Sequence, residues 1–208
     1  GKLGAVSTAA AGLAWQIIWF LNIFFSGINT GTAAVVSRYI GAREKEKAEF
    51  AGAQSLLLSL LFAALTTVIM LVYSEQIFVL LGADKEVTAL GARYLRILSS
   101  TFVLQCMMIC GYQVMKSAGD TKTPMIITGI MVIANSVLAW AMIFGKLGMP
   151  VHGVLGSAEA SAIVMGVEAI IVLYLLFAKK LRIGISPQSF ASFNGEMIKK
   201  ILGIGAPS

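Results

Sequence analysis

The sequence has 208 residues, of which 58% are hydrophobic and 12% charged, with a formal net charge of +6. Soluble domains carry about 25% charged residues, so this composition excludes an ordinary water-soluble protein. The basic residues stand between the apolar segments and form no stripe with aromatic residues, so we expect no nucleic acid partner.

Five apolar segments are each long enough to span a bilayer, which takes about 20 residues because the hydrocarbon core is about 30 Å thick. The predicted spans are about 13–39, 51–73, 87–115, 124–144 and 154–177. They predict an all-α membrane protein, a polytopic transmembrane helical bundle within residues 1–185. We expect residues 186–208 to form a cytoplasmic linker, with a short amphipathic helix, and the start of a next helix. Because another apolar run begins at Ile198, we expect the chain to be a fragment of a longer protein.

The basic residues sort by loop, which indicates the orientation of the bundle. Eleven fall on one side, namely Arg38, Arg43, Lys45, Lys47, Lys116, Lys122, Lys179, Lys180, Arg182, Lys199 and Lys200. Five fall on the other, namely Lys2, Lys85, Arg93, Arg96 and Lys146. Since Lys and Arg collect on the cytoplasmic side, the first group is predicted to be cytoplasmic.

Hydrophilic residues follow one face of the first span. Asn22, Ser26 and Asn29 are spaced i, i+4 and i+7, and Trp15 and Trp19 extend the same face outward. Such a stripe suits an organic cation, because aromatic faces attract positive charge and amides orient it. The alternative is that these residues hydrogen-bond between helices, as polar side chains do in membrane bundles.

The third span carries a second stripe of Thr101, Gln105, Met108 and Tyr112, with Gln113 one position away. Methionine suits a pocket that accepts several shapes, although core packing explains Met108 equally well. The same span contains Cys106 and Cys110, which have no nearby His or acidic residue in the sequence. We therefore interpret them as small apolar side chains and expect no metal site.

The last span contains two acids, Glu159 and Glu168, nine residues apart and therefore on opposite helix faces. Both can hardly line one cavity. Ionisable residues within a membrane are costly and mark functional sites, so either acid is a candidate to bind H⁺ or Na⁺. The alternative for Glu168 is a structural ion pair, and Glu159 lies near the outer interface, where water can reach it.

Several short strings occur in an order and at spacings that together are informative. They are Tyr39-Ile-Gly-Ala-Arg43, Leu81-Gly-Ala-Asp84, Ala92-Arg-Tyr-Leu-Arg-Ile97, Ser117-Ala-Gly-Asp-Thr-Lys-Thr-Pro124, Asn135, Ile143-Phe-Gly145 and Gly153-Val-Leu-Gly-Ser-Ala158. This ordered set resembles the multidrug and toxic compound extrusion (MATE) family of secondary transporters. The resemblance implies one lobe, helices two to six, of a twelve-helix two-lobe transporter. It also implies that 186–208 joins this lobe to a second lobe of the same chain.

The resemblance also implies roles for residues of the last two spans. Asn135 matches a family position that often precedes a membrane-embedded Asp by four residues, but here that position is Ala139. Ser161 matches a position that is usually Thr and faces the lobe interior. Glu168 follows it by seven residues, which favours Glu168 over Glu159 as the interior acid.

By this resemblance we expect a multi-pass protein of the prokaryotic plasma membrane. It would be a secondary active antiporter that exports amphipathic, often cationic organic compounds in exchange for H⁺ or Na⁺, with no other cofactor, no metal and no catalytic residues. The candidate substrate- or ion-binding residues are Asn22, Ser26, Asn29, Gln105, Tyr112, Gln113, Asn135, Ser161, Glu168 and Glu159. Alternatives are a lipid-linked oligosaccharide flippase, which the lack of Lys or Arg within the spans argues against, and a non-transporting scaffold or enzyme.

Overall fold

The computed structural model describes residues 4–149, 151–179 and 181–205, and within these ranges it contains seven helices. They are α1 (Ala5–Gly41), α2 (Lys45–Leu80), α3 (Lys85–Ser117), α4 (Lys122–Phe144), α5 (Val154–Phe177), α6 (Pro187–Ala191) and α7 (Gly195–Gly205). The first five are long and apolar enough to cross a membrane. All five predicted spans are therefore confirmed as helices.

Helix α3 occupies the centre of the bundle and packs against α1, α2 and α5. Its side chains Tyr94, Leu95, Phe102 and Met115 are almost completely buried. Helix α4 lies at the periphery, where it packs mainly against α5 and buries few of its own residues. Its many outward apolar side chains need no water-excluding partner in a lipid environment, because lipid tails are as apolar as they are.

The breaks between helices are formed by residues in the left-handed region and by a side-chain cap. After α1 the chain turns at Arg43, whose φ of 62° is left-handed, and the Glu44 N–H donates to the Tyr39 carbonyl at 2.9 Å. Between α3 and α4, Gly119 adopts φ 85°. Asp120 then accepts hydrogen bonds from the Thr123 backbone N–H at 3.1 Å and hydroxyl at 2.8 Å. These bonds satisfy groups that a helix terminus leaves without partners.

Two helices run well beyond the apolar spans predicted. Helix α1 begins at Ala5 rather than near residue 13, and α2 continues from Tyr73 to Leu80. The backbone of α2 is kinked at Tyr73, where φ is −104° and ψ is 16°. Hydropathy marks only the part of a helix that lies in lipid, whereas backbone hydrogen bonding continues through Ser74 and Glu75 beyond it.

The segment 181–194 is bound to α2 near the N-terminal end of that helix. The buried Gln54 amide donates to the carbonyls of Ser189 (3.0 Å) and Ser192, and it accepts from the Asn194 N–H at 2.9 Å. Glu49 accepts a further hydrogen bond from the Gly184 N–H at 3.1 Å. The predicted short helix is present here as α6, and the whole segment is held by side chains of the bundle.

Helix α7 packs against α1 through glycine. A Cβ on Gly31 would lie 1.9 Å from the Ile201 carbonyl oxygen, and one on Gly27 would lie 2.8 Å from the Gly205 oxygen. Gly27 and Gly31 form a G-x-x-x-G pair, which lets helix backbones approach closely in membranes. The two contacts show that α7 runs antiparallel to α1.

Candidate functional site

The predicted polar stripe of the first span and two residues of the third span, Gln105 and Gln113, lie side by side in a groove between α1 and α3. An outer cavity of about 540 Å³ is lined by Gly12, Trp15, Gln16, Ile18, Trp19, Asn22 and Gln105. An inner cavity of about 420 Å³ is lined by Asn22, Phe25, Ser26, Asn29, Thr30, Ala33, Ile109 and Gln113. Because both cavities include Asn22, they adjoin along the helix. The structure thus brings five sequence-predicted residues to one surface, here called the α1–α3 groove.

Two amides of α1 beside this groove hydrogen-bond to carbonyls of their own helix. The Asn22 side-chain N–H donates to the Ile18 carbonyl at 2.8 Å, and that of Asn29 donates to the Phe25 carbonyl at 3.4 Å. Since each partner is a carbonyl oxygen, the amide nitrogen faces it and the amide oxygen points away. The Asn29 oxygen is buried and has no hydrogen-bond partner within the described residues. The groove is thus lined by amide side chains, which carry both donor and acceptor atoms.

A hydrogen-bond chain holds Trp15 at the outer end of the groove. The Trp15 indole N–H donates to the Tyr94 hydroxyl at 3.1 Å, and Tyr94 lies 3.0 Å from the Ser157 hydroxyl. Ser157 donates its own proton to the Val154 carbonyl at 2.7 Å, so Tyr94 is the donor to Ser157. This network joins α1, α3 and α5. The sequence analysis missed it, because the pairing of residues across helices leaves no signal in their spacing.

The acid Glu168 lies behind the groove in a cluster formed by three helices. Its side chain is buried and only 7% of its surface is exposed. The Tyr112 hydroxyl of α3 donates to the Glu168 carboxylate at 2.6 Å, and the Thr128 hydroxyl of α4 lies 3.4 Å from the same oxygen. Gly111 allows this approach, since a Cβ there would lie 2.6 Å from Val172 of α5.

Within the described part of the chain, no ion pair includes Glu168. A buried carboxylate with only hydroxyl partners is costly in its charged form, because a charge away from water needs a counter-charge or many hydrogen bonds. We call Glu168, Tyr112 and Thr128 together the Glu168 cluster. Oxygen atoms of Glu168, Tyr112 and Thr128 are all ligands that hard cations accept.

A second polar level lies further out between α4 and α5. Asn135 follows Thr128 by seven residues on α4, and Ser161 precedes Glu168 by seven on α5, so each pair shares a helix face. Ser161 is buried, and the Asn135 amide oxygen is buried without a hydrogen-bond partner among the described residues. Gly156 brings the outer ends of these helices together, as a Cβ there would lie 2.8 Å from the Met142 backbone.

One predicted site residue lies elsewhere than its stripe suggested. Tyr112 belongs to the Glu168 cluster rather than to the α1–α3 groove, since its hydroxyl is used by the carboxylate. Glu159 lies at the outer end of α5, where its carboxylate contacts the His152 ring nitrogen, and both side chains are about one-third exposed. The sequence analysis also missed Thr128, although its seven-residue separation from Asn135 on the same span was readable.

The comparisons with known proteins identify the family. A family model described as MatE matches residues 1–141. The chain belongs to the MatE family. Membership agrees with the five helices that are long and apolar enough to cross a membrane.

Curated proteins that resemble this chain in sequence are also transporters or multidrug resistance proteins by name. The chain is 28% identical over 203 residues to a probable multidrug resistance protein, NorM, of Thermotoga maritima. The alignment covers 96% of this chain and 43% of that protein. It is 26% identical over 178 residues to a FAD transporter of Shewanella oneidensis, covering 86% and 39%. The chain thus spans less than half the length of the curated relatives it matches.

Solved structures of MatE relatives share the fold. The chain matches an outward-facing multidrug resistance MATE family transporter with a TM-score of 0.88 and 31% identity, over 98% of this chain and 44% of that one. It matches a Pyrococcus furiosus transporter of the MOP superfamily, with a binding pocket of reverse polarity, with a TM-score of 0.88 and 30% identity over the same shares. The predicted fold class, one lobe of a two-lobe transporter, is confirmed.

Proposed function

We propose that the protein to which this lobe belongs is a secondary active antiporter. It exports amphipathic, often cationic organic compounds in exchange for H⁺ or Na⁺. The observation that carries the proposal is the pairing of two features on neighbouring faces of α3. Gln113 lines the α1–α3 groove, and the adjacent Tyr112 holds the buried Glu168 carboxylate.

The α1–α3 groove supports a cationic substrate. Its amide oxygens carry partial negative charge, and the faces of Trp15 and Trp19 attract cations. No Lys or Arg is among the described residues that line its two cavities. An anionic substrate, such as the one named for the Shewanella relative, would find no cationic side chain among these described residues. The same absence disfavours a lipid-linked oligosaccharide flippase, whose substrate carries a pyrophosphate.

The Glu168 cluster supports the coupling step. When Glu168 releases its proton or Na⁺, the carboxylate gains a full charge that the Tyr112 and Thr128 hydroxyls must stabilise. Any resulting shift of Tyr112 moves the neighbouring Gln113 in the groove, so the occupancy of one site alters the affinity of the other. Such coupling is reciprocal, and it allows a cation gradient to drive export. Alternating access would then rock this lobe against a second lobe of the same chain.

In this proposal the protein is not an enzyme and needs no cofactor besides the coupling ion. It binds its substrate without forming a covalent bond, and its partners are the bilayer, a small organic compound and the second lobe. A non-transporting scaffold would require neither a groove lined by amide oxygens nor a buried carboxyl group, so no observation favours that alternative.

The test is transport by the full-length protein in vesicles. Efflux of a fluorescent organic cation is measured under an imposed pH gradient or Na⁺ gradient, for the wild type, Glu168→Gln and Glu86→Gln. Glu86 is an exposed acid in the first turn of α3 and serves as a matched control. We expect Glu168→Gln to abolish gradient-driven efflux, because glutamine cannot release a proton or carry a charge, while Glu86→Gln retains it. Unchanged efflux and ion dependence in Glu168→Gln would remove the cluster from the mechanism.

A further inference from the structure

A cavity of about 420 Å³ opens between the end of α1 and α7, on the side that the basic residues mark as cytoplasmic. Two cationic side chains, Arg38 of α1 and Lys200 of α7, line it together with apolar Val35 and Ile204. The cavity thus joins a charged rim to an apolar wall at the place where the two helices meet, and we call it the α1–α7 pocket.

The charges of this pocket are not neutralised by the protein. Neither Arg38 nor Lys200 takes part in an ion pair within the described residues. The acid on the rim, Glu44, pairs instead with Lys47 at 3.1 Å. The carbonyls at the end of α1 are also satisfied, since the Ala42 N–H donates to the Arg38 oxygen at 3.0 Å. Two positive charges therefore remain available to a ligand.

The position of the pocket defines its ligand. Arg38 lies in the last turn of α1, and Val35, one turn deeper, is buried. A group bound here would have its negative charge at the level of the lipid headgroups and its apolar part against Val35 and Ile204. Basic pockets between transmembrane helices on the cytoplasmic side bind anionic lipid headgroups. Arg offers several donors to a phosphate, and Lys adds a point charge.

We propose that the α1–α7 pocket binds the headgroup of an anionic phospholipid from the cytoplasmic leaflet. The phosphodiester contacts Arg38 and Lys200, and the glycerol and the first part of an acyl chain lie against Val35 and Ile204. Because the two cations belong to different helices, the bound lipid bridges α1 and α7 and stabilises their contact. This binding does not depend on the transport function proposed above.

The experiment uses the full-length protein in nanodiscs of phosphatidylcholine with increasing fractions of phosphatidylglycerol. The thermal unfolding midpoint is recorded against the phosphatidylglycerol fraction for the wild type, Arg38→Gln and the double variant Arg38→Gln/Lys200→Gln. The control is Lys116→Gln/Lys122→Gln, which removes two exposed cations from the same side of the membrane, away from the pocket. A further arm adds inorganic phosphate to nanodiscs of pure phosphatidylcholine.

We expect phosphatidylglycerol to raise the unfolding midpoint of the wild type and of the control at the same lipid fractions. The fraction that gives half of the effect should rise about 5-fold for each pocket cation removed, and so about 30-fold in the double variant. An equal response of the double variant and the wild type would overturn the proposal. Equal losses in the double variant and the control would also overturn it, because they indicate diffuse attraction. Stabilisation by inorganic phosphate alone would show a free-anion site and refute the lipid assignment.

Discussion

Replacing Gly31 by Ala tests the packing of α7 on α1. The added Cβ would lie 1.9 Å from the Ile201 carbonyl oxygen, whereas close Cα–H···O contacts in proteins lie at about 3.4 Å. A backbone oxygen cannot rotate away as a side chain does, so α7 must move by about 1.5 Å. That movement loosens the contacts of Met197, Ile198 and Ile201, which are buried in this interface.

Two opposing effects determine how much Gly31→Ala changes the free energy of unfolding. Overpacking costs about 3 kcal/mol at the upper end of its range, which applies where backbone must shift. Replacing Gly by Ala within a helix gains about 1 kcal/mol. We therefore expect Gly31→Ala to lower the free energy of unfolding by about 2 kcal/mol.

The assay is equilibrium unfolding of the full-length protein in a lipid nanodisc or detergent, with Gly129→Ala as the matched control. Gly129 lies within α4, and a Cβ there would meet nothing within 4 Å. The control should be unchanged or slightly stabilised, through the gain in helix propensity alone. If Gly31→Ala were as stable as Gly129→Ala, the close packing of α7 on α1 would be refuted.

Three further substitutions test the site and the linker. Tyr112→Phe removes the hydrogen bond to Glu168, so the ionised carboxylate becomes about 1.5–3 kcal/mol costlier, and we expect gradient-driven efflux in vesicles to slow about 10-fold or more. Trp19→Ala removes an aromatic face from the α1–α3 groove, and the KM for a cationic substrate should rise about 2- to 30-fold. Gln54→Ala removes the bonds that hold segment 181–194, and limited trypsin digestion of that segment should accelerate about 10-fold or more.

Each of these has a control of the same residue type. Tyr73→Phe changes an exposed tyrosine of α2 and should leave efflux unchanged. Trp140→Ala changes a half-exposed tryptophan of α4 that lines neither cavity of the groove, and the KM should stay constant. Gln188→Ala changes an exposed glutamine of α6, and the rate of trypsin cleavage should match the wild type. A control that changed as much as its partner would contradict the assigned contact.

The spans were predictable because hydropathy depends on the chain alone, but their ends were not. Helix α2 continues past Tyr73 through Ser74, which is buried, and Glu75, which pairs with Arg96 of α3 at 2.9 Å. That ion pair holds the end of α2 against a neighbouring helix, and nothing in the local composition of either segment indicates it. A hydropathy window stops where charges begin, whereas a helix stops where its backbone hydrogen bonds stop.

The sequence predicted which side chains share a helix face, but it did not predict which side chains contact each other between helices. Helical spacing placed Asn22, Ser26 and Asn29 on one side of α1, and the structure lines the groove with all three. The same reasoning assigned Tyr112 to the stripe of Gln105. The structure instead directs its hydroxyl to Glu168, fifty-six residues away in the chain. The relative rotation of packed helices determines such pairs, and it depends on close approaches such as the one at Gly111.

The attachment of segment 181–194 to α2 limits how far this segment can move relative to the bundle. Gln54 and Glu49 hydrogen-bond to the backbone of this segment at several points. The segment therefore moves together with α2. A pull on α7 would therefore be passed through this segment to Gln54 and Glu49 of α2, and no loose loop would absorb it.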